Sequence, residues 1–89
     1  MTVREVTVTN QAGVHTRPAS MIVRTAAKFN AEVLIQKDGY EINGKSIIGV
    51  MTLAAEQGST LTLVCEGQDE EAAADALVAL FESGFGEVT

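Results

Sequence analysis

One imidazole, one guanidinium and a helix start lie side by side in Gly13-Val14-His15-Thr16-Arg17-Pro18-Ala19. His15 is the only histidine in the chain. A residue that takes up and releases a phosphoryl group must be neutral near pH 7, nucleophilic, and a fair leaving group. Imidazole combines these properties, because its reference pKa is about 6.5. A helix N-terminus offers unpaired N–H groups and a partial positive charge, and both favour a phosphate carrying about two negative charges. The same field disfavours imidazolium and keeps the ring nucleophilic. Each such contribution is about 0.3–1 kcal/mol when exposed, which suits a cargo that must leave again. Thr16 and Pro18 supply the first helical turn, and Arg17 can add a charge-assisted hydrogen bond to phosphate oxygens. Gly13 permits a tight turn that leaves the ring accessible. On spacing alone a second reading stays open: His15 as a surface residue at a helix start, Arg17 merely solvated, Pro18 merely a helix starter.

The elements that would position these residues are legible from periodicity. Residues 3–9 are β-branched and partly alternating, a strand with Val6 and Val8 on one side. Asn10 to Gly13 form a loop. Pro18 suits a first helical turn, where its missing N–H costs nothing. Ala19, Ile22, Val23, Ala26 and Phe29 then recur at helical spacing, and Arg17, Ser20, Met21, Arg24 and Lys28 share the opposite stripe. Residues 31–37 read as a strand, Asp38-Gly39 as a two-residue hairpin turn, and 40–43 as the return strand. Ser46 is placed to cap a short helix over 47–54. Residues 60–66 form another strand with Leu61, Leu63 and Cys65 inward. Asp69 is read as the N-cap of a last helix that buries Ala73, Leu77, Leu80 and Phe81 and ends at Gly84. The order β-α-β-β-α-β-α predicts an α+β fold: a four-stranded, largely antiparallel sheet with three helices on one face.

Eighty-nine residues suffice for one small domain over 1–89. One Cys and one His make no zinc set, so no metal or other cofactor is expected. Cys65 reads as a small buried hydrophobe. No apolar run is long enough to span or insert into a membrane, and the start of the chain lacks an apolar signal region, so a cytoplasmic protein is expected. The net charge of −6 and the shortage of aromatics argue against nucleic-acid binding. The charge is unevenly spread: all six bases lie at or before Lys45, and eight of the twelve acids follow position 49. The basic half is suited to an acidic partner.

The segment 43–54 carries a second signal. Ile47, Ile48, Val50, Met51, Leu53 and Ala54 surround a helix almost completely, yet a helix lying on a sheet buries one face. Ile47, Ile48 and Met51 are therefore expected to stay exposed as a partner-binding patch, extended by Ser20, Met21 and Arg24 of the first helix.

Asn10-Gln11-Ala12-Gly13-Val14-His15-Thr16-Arg17-Pro18-Ala19 strongly resembles the active-site signature of the HPr family, the histidine phosphocarriers of the bacterial phosphoenolpyruvate-dependent sugar phosphotransferase system. The likeness extends over essentially the whole chain. It implies the family's open-faced β-sandwich, in the element order read above. It implies that His15 accepts a phosphoryl group on Nδ1 from enzyme I and passes it to enzyme IIA domains, with Arg17 assisting. Such a protein is a stoichiometric, monomeric intermediate rather than a stand-alone catalyst. The segment around Ser46 resembles the family's regulatory serine region. That likeness implies phosphorylation of Ser46 by an HPr kinase/phosphorylase, and binding to a transcriptional regulator. Thr16 and Pro18 lean toward the sugar branch, whereas Met51 to Ala55 and the tail Gly84-Phe85-Gly86-Glu87 resemble the nitrogen-branch or proteobacterial members. A further alternative is a regulator acting only through phosphorylated Ser46, but paralogues of that kind lack the histidine.

Overall fold

Alternating apolar residues give the strands one wet and one dry face, and the computed structural model, which describes residues 1–87, stacks all the dry faces on one side. The order is β1 (Thr2–Thr7), α1 (Thr16–Ala27), β2 (Glu32–Lys37), β3 (Tyr40–Asn43), α2 (Ile47–Thr52), β4 (Thr60–Glu66) and α3 (Glu70–Glu82). The sheet order is β1-β4-β2-β3, with every neighbouring pair antiparallel. Val33, Ile35, Leu61, Leu63 and Cys65 are buried, as are Ile22 and Ala26 of α1 and Leu77 and Phe81 of α3. Their alternate neighbours point away from the helices; Val3, for instance, stays exposed. This is the α+β open-faced sandwich that the element order predicts. Among the described residues no helix is long and apolar enough to cross a membrane.

Several boundaries differ from the sequence reading. The first strand ends at Thr7, not Thr9, because its partner begins at Thr60; Val8 bonds to the turn, donating to the Ser59 carbonyl and accepting from Gly58. The second helix stops at Thr52, before Ala54, whose φ of +49° reverses the chain. Leu80 is only half-buried, and Ala74 is buried on α3 instead. Asp69 does stand at the start of α3, but its carboxylate makes no cap. It accepts from the backbone N–H groups of Asn30 and Ala31 at 2.8 and 2.7 Å and so staples the α1–β2 connection to α3. Those two donors, that of Asn30 foremost, hold the Asp69 carboxyl below the usual carboxylate range. Ser46 caps α2 as read, its Oγ accepting from Gly49 N–H at 3.1 Å.

Glu70 fastens α3 to β1. Its carboxylate accepts from the Thr2 hydroxyl at 2.6 Å, from the Met1 amine at 2.9 Å and from Gly67 N–H at 3.1 Å. These donors, the Thr2 hydroxyl foremost, pull the carboxyl from 4.5 to about 2. A carboxyl depressed in the folded state stabilises the fold above its unfolded value, and that contribution is lost as pH falls toward the folded value. Melting temperature is thus expected to fall between pH 4.5 and about 2, and Glu70→Gln is expected to flatten that fall. Superimposable pH profiles for the two proteins would remove Glu70 from the account.

Candidate functional site

The loop before α1 is held from below. Gly13 N–H donates to the Asn10 carbonyl at 3.2 Å, Val14 N–H to the Ala55 carbonyl at 2.9 Å, and His15 N–H to the Gly13 carbonyl at 3.0 Å. Gly13 has φ +72°, and a Cβ there would meet the Ala55 carbonyl oxygen at 2.6 Å. Only glycine fits, because the chain is both left-handed and pressed against another backbone. Val14 is buried next to this turn, so the following residue is driven outward.

His15 is the N-cap of α1 in extended conformation, and its side chain makes no capping bond. Its carbonyl accepts the first helical bond, from Ala19 N–H at 2.9 Å. Pro18 has no N–H, and those of Thr16 and Arg17 find no partner among the described residues. The helix therefore opens, immediately after His15, with free N–H groups at its positive end. The ring is accessible, with 44 % of the side chain exposed.

A residue far away in sequence completes the site. Glu87 Oε2 lies 2.8 Å from His15 Nε2 and 3.1 Å from Arg17 Nη2, while its Oε1 accepts from Asn10 Nδ2 at 2.8 Å. Arg17 also donates to the Phe85 carbonyl at 3.4 Å. The Asn10 donor foremost, then those of His15 and Arg17, hold the Glu87 carboxyl below the usual range, against the opposing effect of its partial burial. Gly84, Phe85 and Gly86, a single 3₁₀-type turn, bring Glu87 here with positive φ values of 65°, 59° and 71°. Phe85 is buried edge-on against Phe81, with ring centroids 5.0 Å apart, and anchors that turn. Sequence reasoning ends the last helix at Gly84 and misses both Glu87 and Asn10 as members of the site. The only available signals were an acid following Gly-Phe-Gly, and an asparagine opening the motif.

The second group of candidates lies on the neighbouring α1–α2 surface. Ile47, Ile48 and Met51 are exposed, Ile48 most, whereas Val50 and Leu53 are buried. Arg24 is exposed, and Ser20 and Met21 are half-buried. Met21 Sδ lies 3.8 Å from Arg17 Nη1, so the apolar patch begins where the guanidinium ends. Ser46 is half-buried at the start of α2.

The family model "PTS HPr component phosphorylation site" matches residues 2–83. A phosphocarrier protein HPr of Treponema pallidum is 48% identical over 87 residues, 98% of this chain and 99% of that one. An HPr-like protein Crh of Halalkalibacterium halodurans is 45% identical, over 92% of this chain and 98% of that one. The crystal structure of an HPr from Thermoanaerobacter tengcongensis superposes with a TM-score of 0.96 at 44% identity and covers all of both chains. A second structure from that organism, at TM-score 0.79 and 48% identity over 90% of this chain and 92% of that one, is of an HPr dimer, so the expected monomer does not carry over from the relatives. Sequence, fold and the histidine at an open helix start agree, and the chain belongs to the HPr family of phosphotransferase-system phosphocarriers.

Proposed function

We propose that His15 carries a phosphoryl group on Nδ1, received from phosphorylated enzyme I and delivered to enzyme IIA domains in the cytoplasm. The observation that carries this reading is that Nε2 of this accessible N-cap side chain is taken up by Glu87 while Nδ1 has no hydrogen-bond partner among the described residues. Nδ1 is then the ring nitrogen with an open lone pair. That lone pair attacks phosphorus, the N–P bond forms, and the bond from phosphorus to the donor breaks with its electron pair leaving on the donor. The unpartnered Thr16 and Arg17 N–H groups and the Arg17 guanidinium are the donors available to the developing charge. Incubation with phosphoenolpyruvate and enzyme I tests the reading. An acid-labile, base-stable phosphate supports it, and an unlabelled chain refutes it.

Arg17 is tied to Glu87 in the resting state and must turn from that carboxylate to the phosphate. A hydrogen bond to a charged group contributes about 1.5–3 kcal/mol, so Arg17→Ala is expected to slow transfer at least about tenfold without ending it. Unchanged single-turnover kinetics would deny Arg17 this role.

Ser46 supports a regulatory reading, in which phosphorylation by an HPr kinase/phosphorylase adds negative charge beside Ile47, Ile48 and Met51. The bases Arg17, Arg24 and Lys28 on the adjoining stripe suit an acidic partner, which the added charge would repel. Aspartate caps helices as well as serine does, so Ser46→Asp changes charge while keeping α2. It is expected to weaken enzyme I binding roughly tenfold, and equal affinity by calorimetry would discredit the patch. Relatives named Crh match almost as well as those named HPr. They favour a second reading, binding to a transcriptional regulator through phosphorylated Ser46. Binding that appears only after Ser46 phosphorylation, in a chain that takes no phosphate on His15, would establish it.

A further inference from the structure

Asn10 is 2 % exposed, and its side-chain oxygen has no hydrogen-bond partner among the described residues. Leaving a buried amide acceptor unpaired is unfavourable, so this oxygen does not account for the asparagine at this position. What Asn10 does supply is its Nδ2 group, which donates to the Gly13 carbonyl at 2.8 Å and to Glu87 Oε1 at 2.8 Å. One amide thus ties the loop that presents His15 to the tail residue that touches His15. The other oxygen of that same carboxylate meets His15 Nε2 at 2.8 Å. Asn10, Glu87 and His15 form a continuous chain of hydrogen bonds.

An ionised carboxylate can only accept, so the ring nitrogen facing it must carry the hydrogen. Asn10 and Arg17 both donate to Glu87, and the depressed Glu87 carboxyl remains ionised. Resting on the reading of His15 as the phosphoryl acceptor, we propose that Asn10 is a positioning residue: it holds the Glu87 carboxylate against the Nε2–H of His15 and so fixes the ring tautomer that leaves the Nδ1 lone pair free. A ring in the other tautomer would present Nδ1–H to an incoming phosphorus and could not attack. The same carboxylate stabilises the Nε2–H of the phosphorylated ring, which makes the imidazole a better leaving group for onward transfer.

The test reads the ring nitrogens of the full chain by ¹⁵N NMR at pH 8.5. The wild-type ring is expected to be predominantly the Nε2–H tautomer. Asn10→Ala and Glu87→Gln are each expected to lower the ratio of Nε2–H to Nδ1–H about fivefold, the first by releasing the carboxylate from its place and the second by removing the charge from its bond to the ring. Because the two act through one carboxylate, the double variant is expected to go no further than the larger single one. Glu87→Gln leaves the buried position untouched and keeps the test intact if Asn10→Ala folds poorly. Ring shifts unchanged in either variant, a lowered melting temperature alone in Asn10→Ala, or additive effects in the double variant would overturn the proposal. The spectra need no phosphoryl donor. A chain that took no phosphate would therefore defeat the reading of His15 without deciding this test, and a labelled chain with an unmoved tautomer would do the reverse.

Discussion

His15→Ala is expected to abolish phosphoryl uptake and leave the fold standing. The chain has one imidazole, and no other described side chain at the α1 start is a neutral nitrogen nucleophile. The stability cost is small because the side chain is well exposed to solvent at 44 %, makes no capping bond, and touches only the Glu87 carboxylate through its polar atoms. Substitutions at such surface positions shift stability by about 0.5 kcal/mol, a few degrees at most for a chain of this size. Radiolabel from phosphoenolpyruvate and a melting curve, taken on the same preparation, check both halves. Label retained by a folded alanine variant would place the nucleophile elsewhere.

Gly13→Ala is expected to damage both stability and transfer. At φ +72° any Cβ is strained, and this one would lie 2.6 Å from the Ala55 carbonyl oxygen and 3.1 Å from Glu56 Cα. Both obstacles are backbone, so the clash cannot be relieved by turning a side chain. The left-handed conformation costs roughly 1–2 kcal/mol by itself, and displacing the connection between α2 and β4 adds to that. A loss of about 2–3 kcal/mol lowers the melting temperature by roughly 10–20 °C. The backbone that must move also carries the bond from Val14 N–H to the Ala55 carbonyl, which holds the His15 loop in place. A misplacement of about 1 Å at a reacting group can cost about a hundredfold in rate, so transfer is expected to fall by at least tenfold even below the melting temperature. A variant with wild-type melting temperature and wild-type transfer rate would show that this close approach has no role in positioning the histidine.

The reach of the sequence in this protein follows how far apart the cooperating residues lie. His15, Arg17 and Pro18 share one helix start, so their chemistry is readable from spacing. Ser46 caps its own helix for the same reason, and Ile47, Ile48 and Met51 had to stay exposed because a short helix on a sheet has only one face to bury. Asp69 shows where such local reasoning stops. Its type and place fit a cap, but two backbone donors at residues 30 and 31 outcompete its own helix, and only the packing of α3 beside the α1–β2 connection brings them within reach. Glu87 is 72 positions from His15 and arrives through three consecutive residues of positive φ, one of them a phenylalanine that no propensity would put there. The burial of Phe85 against Phe81 supplies what holds that turn. Asn10 was visible as part of the motif, but its partner was not, so its role could not be read.

The most direct test of the account is to find which atom bears the phosphorus in the chain charged by enzyme I and phosphoenolpyruvate. Phosphorus–nitrogen coupling in the ¹⁵N-labelled protein is predicted to join one phosphoryl group to Nδ1 of His15. A phosphoryl group on Nε2, where Glu87 now sits, or on Ser46 alone, would contradict it.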